Sequence, residues 1–139
     1  MNTISNFRGQ YFFLSNFYPA QIQYGRHRFL NNEAAFQAMK CPSRANEFYL
    51  FNPSEAKRLG RRVKLRDDWE EVKELVMYEI CYHKFNQNPD IKRMLLNTGD
   101  AELIEGNTWG DCIWGVCNGV GKNLLGKILM RVRNELKEQ

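Results

Sequence analysis

Asp67-Asp68-Trp69-Glu70-Glu71-Val72-Lys73-Glu74-Leu75-Val76-Met77-Tyr78-Glu79-Ile80-Cys81-Tyr82-His83-Lys84-Phe85 is the longest stretch with one clear period. Trp69, Val72, Val76 and Ile80 fall on one stripe at helical spacing, so Asp67 opens a helix that runs to about Phe85. Reading outward, Asn88-Pro89 starts a further short helix that stops near Thr98-Gly99. The last helix, Asn123 to about Leu136, buries Leu125, Ile128, Leu129, Val132 and Leu136. Upstream, Asn52-Pro53-Ser54-Glu55 supplies a cap residue, a proline at the first helical position and an acid in the first turn; that helix reaches Arg61 or Arg62. Ser43 starts a short helix through Phe51. Asn31 or Asn32 caps a helix from Glu33 to about Lys40, with Pro42 after its end. Gln21 to Tyr24, a turn at Gly25, and His27 to Leu30 read as a hairpin. Phe7 to Tyr18 is aromatic and irregular. Glu102 to Glu105 and Cys112 to Trp114 are short strand candidates. The expected fold is therefore α+β and predominantly helical, with a few short strands. No βαβ rhythm is present, which excludes a Rossmann or P-loop reading.

The chain has 139 residues, which suits one domain over 1–139 with a single core. Charged residues are 26% and apolar residues 43%, as in an ordinary soluble globular protein. The formal charge of +4 suits a phosphate-bearing ligand but does not by itself imply nucleic-acid binding. Neither a signal pattern nor an apolar run of membrane length occurs, so the expected location is the cytoplasm, away from membranes. Cys41, Cys81, Cys112 and Cys117 read as reduced thiols in that setting. His27 and His83 are scattered and no second close Cys pair exists, so no metal site is expected.

Two polar clusters carry the chemistry. Glu33 and Lys40 lie seven residues apart, two helical turns, and share a face with Phe36 and Gln37 between them. A carboxylate and an amine over an apolar floor can each have a shifted pKa. A solvated face with a charge at each end explains Lys40 equally well, and helix-dipole stabilisation explains Glu33. Ser15 and Asn16 form the polar part of the aromatic opening. The second cluster runs Gly110-Asp111-Cys112-Ile113-Trp114-Gly115 through Gly119-Val120-Gly121-Lys122-Asn123. It can be a tight turn feeding a helix, or a place where backbone approaches a ligand and helix N–H groups meet an anion. Asp111, between Trp109 and Trp114, can hold sugar hydroxyls while an indole stacks on a base. Trp69, in the first turn of the long helix, reads more readily as core than as a ligand platform. Glu105 reads as a cap or salt-bridge residue. The basic run Lys57, Arg58, Arg61, Arg62, Lys64 and Arg66 reads as a solvated face from which one or two members reach a phosphate. No Ser elbow or Ser/Cys–His pairing appears; carboxylates, one Lys, Asn and Ser fit acid–base work on a glycosidic bond better than acyl transfer.

The ordered set Phe12-Phe13-Leu14-Ser15-Asn16-Phe17, Asn32 through Lys40, Asp68-Trp69, Lys84-Phe85, Leu96-Asn97-Thr98-Gly99-Asp100, Glu105, Asp111-Cys112-Ile113-Trp114-Gly115, and Gly121 through Gly126 into Leu129-Met130-Arg131-Val132-Arg133 resembles the YbiA-like, or NADAR, family over nearly the whole chain. The resemblance implies a small helix-rich fold that cleaves N-glycosidic bonds of ribose phosphates. Its implied substrates are riboflavin-pathway ribosylamino-pyrimidine phosphates or ADP-ribose conjugates, including ADP-ribosylated guanine in nucleic acid. It carries the catalytic roles to Glu33, Lys40 and Asp111. It places Phe13, Ser15, Asn16, Phe17, Trp69, Trp114, Gly115 and Asn123 around the substrate, with Gly119 to Asn123 and basic side chains at the phosphate. No metal and no other cofactor is expected. Glu33, Lys40 and Asp111 are expected to line one cleft with Ser15 or Asn16 at its rim. The alternative is a non-catalytic ADP-ribose or NAD-binding module; a third class, an interaction protein, would leave the three residues far apart and exposed.

Overall fold

A computed structural model describes residues 2–139 and divides the chain into two compact units. One takes residues 2–15 together with Pro89–Gln139; the other is Asn16–Asn88. Their order is β1 (Thr3–Ile4), a 3-10 helix (Gly9–Leu14), β2 (Pro19–Tyr24), β3 (His27–Asn31), α1 (Asn32–Ala38), a second 3-10 helix (Pro42–Phe48), α2 (Pro53–Gly60), α3 (Trp69–Gln87), α4 (Pro89–Asn97), β4 (Glu102–Leu103), β5 (Gly106–Asn107), β6 (Val116–Cys117) and α5 (Leu124–Lys137). The helix-dominated α+β expectation holds. Among the described residues no helix is long and apolar enough to cross a membrane.

In the 16–88 unit, β2 and β3 form the expected antiparallel hairpin, Tyr24 opposite His27 and Ile22 opposite Phe29. Its inward residues Ile22 and Phe29 are buried, and β2 packs on α3. α3 buries Trp69, Val76 and Ile80 of the expected stripe, with Met77 and Cys81 beside them, while Val72 is half-buried. α1 is buried along its whole length, among β2, β3, α2 and α3. Asn31 is its cap: the side-chain oxygen accepts from Ala34 N at 2.8 Å. α2 opens with the expected capping box, Asn52 Oδ1 accepting from Glu55 N and Glu55 Oε1 from Asn52 N, both at 2.9 Å.

In the other unit, β1 pairs with β4 in parallel, Thr3 opposite Glu102, and β5 pairs with β6. Leu125, Leu129, Val132 and Leu136 form the buried face of α5, which packs on β4 and α4.

Four expectations change in detail. The segment before Ser15 contains a 3-10 helix rather than irregular chain, and the short helix expected from Ser43 through Phe51 is a 3-10 helix over Pro42–Phe48. The helix over Glu33 to Lys40 ends at Ala38, with Lys40 N bonded to Gln37 O in a tightened last turn. Cys112 to Trp114 is not a strand. Asp111 Oδ1 accepts from Ile113 N at 3.1 Å and Trp114 N at 2.9 Å, so a side chain takes the donors a strand ladder would need. The strand lies four residues later, at Val116–Cys117.

Candidate functional site

Glu33 occupies the first turn of α1 and is 9% exposed. Its backbone N–H donates to Asn16 O at 3.0 Å, which ties the residue before Phe17 to the start of the helix. One turn on, Gln37 Nε2 donates to Glu33 Oε2 at 2.7 Å. The bond fixes the carboxylate's orientation. Gln37 Oε1 is buried without a hydrogen-bond partner among the described residues. It rests on Gly60 of α2, where a Cβ would overlap it. Gly60 thus permits the seat of the amide that holds Glu33.

Lys40 is half-buried, and burial pushes its ammonium below the usual lysine range. Arg61 and Lys57 push the same way, while Glu33 opposes them. The two ends of the Glu33–Lys40 face therefore sense each other, as their spacing implied. A buried carboxylate and an amine with an enlarged neutral fraction can serve as base and nucleophile.

The remaining expected residues of this unit divide. Asn16 is a strut: its Oδ1 accepts from Asn32 Nδ2 at 3.2 Å and its Nδ2 donates to Met77 Sδ at 3.5 Å. Phe17 is exposed, with Lys57 Nζ 5.5 Å from its ring centroid. Trp69 is buried against Phe36, ring centroids 5.1 Å apart, so its indole is core.

The other unit holds Phe13, Ser15, Asp111, Trp114, Gly115 and Asn123. Phe13 is buried and Ser15 half-buried at the end of the first 3-10 helix. Asn107, which the sequence reading passed over, frames Asp111: its Oδ1 accepts from Asp111 N at 3.1 Å and its Nδ2 donates to Asp111 O at 2.9 Å. Asp111 Oδ1 is committed to the turn, whereas no hydrogen bond engages Oδ2 among the described residues. Asn123 has φ 53° and faces inward, donating from Nδ2 to Leu103 O and accepting at Oδ1 from Glu105 N, each at 2.9 Å. Gly115 lies against Glu105 O, where a Cβ would not fit.

The start of α5 is closed. The N–H groups of Lys122, Asn123, Leu124 and Leu125 donate to the carbonyls of Cys112, Gly115, Ile113 and Trp114. An anion expected there finds those four donors already used. The signal available in sequence was the run Cys112 to Gly115 itself, whose carbonyls had to go somewhere.

Cys41, Cys81, Cys112 and Cys117 are free thiols, and no group of three or more His, Cys, Asp or Glu side chains is placed to hold a metal among the described residues.

Comparison with known proteins supplies the context. A family model described as the NADAR domain matches residues 5–137. The N-glycosidase YbiA of Escherichia coli (strain K12) is 38% identical over 97% of this chain and 89% of its own length. A riboflavin biosynthesis protein of Vibrio vulnificus is 39% identical over 91% of this chain, which spans only 36% of that protein's length. The solution structure of Escherichia coli YbiA superposes with a TM-score of 0.86 at 36% identity, covering 99% of this chain and 88% of that one.

Proposed function

The chain belongs to the NADAR domain family, and from that premise we propose that it is an N-glycoside hydrolase. The observation that carries the reading is the buried Glu33 carboxylate, held by Gln37, on one face with a half-buried Lys40 of lowered pKa. Its substrate is a nitrogenous base joined to a ribose phosphate or to ADP-ribose. Small ribosylamino phosphates and ADP-ribosylated guanine, free or in nucleic acid, are the two classes to separate.

Cleavage breaks the bond between the anomeric carbon and the base nitrogen, and the electron pair leaves with the base. The positive charge left on the sugar is stabilised by Glu33, which takes a proton from the attacking water. In its own unit Asp111 offers Oδ2 to ribose hydroxyls and Trp114 offers a face to the base; in the unit of Glu33, Phe17 offers such a face. Phe13, Ser15, Gly115 and Asn123 support the substrate-facing backbone of the unit that holds Asp111, and Asn16 and Trp69 support the floor beneath Glu33 and Lys40. In the second route, neutral Lys40 Nζ attacks the anomeric carbon and expels the base. The sugar ring opens as the carbon–nitrogen bond becomes an imine, which water then hydrolyses. Neither route uses a metal or a redox cofactor. The protein acts in the cytoplasm as one NADAR domain.

The test incubates the pure protein, with and without EDTA, with ribosylamino pyrimidine phosphates, NAD, ADP-ribose and ADP-ribosylated guanine nucleotides, and follows released base by chromatography. Release is expected from at least one, unaffected by EDTA. Glu33→Gln should lower turnover roughly 100-fold or more while changing product affinity far less. Borohydride should trap an adduct in the parent and none in Lys40→Met if the imine route operates. Near-normal turnover in Glu33→Gln would defeat the acid–base assignment. Tight ADP-ribose binding with no release from any compound would make the protein a binding module.

A further inference from the structure

Six basic residues crowd the chain between Lys57 and Arg66, and they do not share one environment. Arg66 pairs with Asp68, Nε to Oδ1 at 2.6 Å. Arg58, Arg61, Arg62 and Lys64 are exposed, and Lys57 is half-buried. Lys57 and Arg61 are the two whose charges reach Lys40. They stand four residues apart, one turn, with Lys57 in the last turn of α2 and Arg61 capping its C-terminus, so they share a face of that end. Gly60, next to Arg61, touches Gln37 of α1, which brings this part of α2 against the middle of the Glu33–Lys40 face. The Lys57 ammonium lies over Phe17, the neighbour of the residue whose carbonyl receives Glu33 N–H.

Neither Lys57 nor Arg61 makes an ion pair or a side-chain hydrogen bond among the described residues. Both act on Lys40 as like charges, and Glu33 is the one carboxylate that opposes them there. Three cations facing one carboxylate leave a net positive site, in which Lys57 lacks the full solvation that would quiet it. An anion relieves that repulsion. A phosphoryl group, with three acceptor oxygens, suits an ammonium beside a guanidinium.

We propose that Lys57 and Arg61 form the phosphate subsite, binding the phosphoryl group on the ribose 5′ carbon of the substrate beside Glu33 and Lys40. The rest of that substrate rests on the hydrolase reading; the subsite does not. The phosphoryl group belongs either to a ribose 5-phosphate conjugate or to the diphosphate of ADP-ribose. The subsite lies at the C-terminal end of α2 and not at the start of α5, where the Leu124 and Leu125 N–H groups are spent on the preceding loop.

The test is calorimetric titration with ribose 5-phosphate, ribose and ADP-ribose into the parent, Lys57→Gln, Arg61→Gln, the double variant, and Arg58→Gln as a solvated control. The parent should bind ribose 5-phosphate or ADP-ribose at least about 10-fold more tightly than ribose, the scale of one charge-assisted phosphate contact. Each single variant should lose about 10-fold, the double variant should lose the preference for phosphate, and Arg58→Gln should keep it. Lys57→Arg should restore part of the loss, which excludes a folding defect as its cause. Loss confined to ADP-ribose assigns the subsite to a diphosphate, and loss with ribose 5-phosphate assigns it to a monophosphate. A phosphate preference that survives in the double variant, or is absent from the parent, overturns the proposal. Failure of the hydrolase reading looks different: no base is released by the parent, although the phosphate preference and its loss remain.

Discussion

Among single residues, Gly60 and Gln37 tie a backbone requirement to a chemical one. A methyl group at Gly60 would meet the Gln37 amide, and that amide holds the Glu33 carboxylate. Gly60→Ala is expected to cost about 1–3 kcal/mol, the range for forcing an extra carbon into a packed contact. It should also lower turnover, because Gln37 must swing away from Glu33. Gln37→Ala removes the obstacle, so adding Gly60→Ala to it should cost far less than Gly60→Ala alone. Chemical denaturation and turnover of the three variants decide this; strictly additive losses would show that the two residues are not coupled. Glu33 and Lys40 were legible in sequence through their spacing. Gln37 was visible as their neighbour, but its role was not, because only the packed structure shows which amide reaches which oxygen. Asn123 shows the opposite limit. Its place before a helix suggested a ligand contact, whereas its side chain faces inward to Leu103 and Glu105.

At the scale of the element, α3 contains a lysine where its pattern calls for an apolar residue. Lys84 follows Ile80 by four residues and Met77 by seven, so it continues the buried stripe, and it is 1% exposed. Tyr18 and Phe85 rings lie 5.6 and 5.0 Å from its Nζ. Burial pushes its ammonium down to about 7, with Cys81 opposing the shift. The unfolded chain keeps the ordinary value near 10.5, so between about pH 7 and 10.5 it holds a proton that the folded chain has shed. Stability from this group therefore rises with pH across that window and is flat below it. From pH 7 to 8.5 the parent should gain on the order of 1 kcal/mol relative to Lys84→Met, measured by urea unfolding. The interval avoids Cys81, whose thiol burial pushes up to about 12, and Tyr24, also raised by burial; both act in the opposite direction at higher pH. Parallel pH profiles for the two proteins would show that Lys84 does not titrate in the folded state as described. The caps of α1 and α2 were readable because capping acts within one turn. The strand expected over Cys112 to Trp114 failed because Asp111 intercepts its donors, a choice between two local hydrogen-bonding schemes that apolar residues alone do not reveal.

For the whole molecule, residues 2–15 join the C-terminal unit through the pairing of Thr3 with Glu102, although Asn16–Asn88 intervene in sequence. If 1–139 is one domain, calorimetry should give a single transition whose van't Hoff and calorimetric enthalpies agree. Two resolved transitions would make the units independent folding bodies. The sequence by itself determined the helices, their caps, the hairpin and the family, because these depend on period, proline, glycine and cap chemistry read over a few residues, or on motifs in order. It also singled out Glu33, Lys40 and Asp111 as the residues whose roles the proposed variants test. Only the tertiary structure decided the pairing of β1 with β4, the burial of Lys84, the closure of the α5 N-terminus and the placing of Lys57 and Arg61 against Lys40. Each of these depends on which surfaces lose water to which others, and desolvation between residues distant in the chain leaves no local pattern to read.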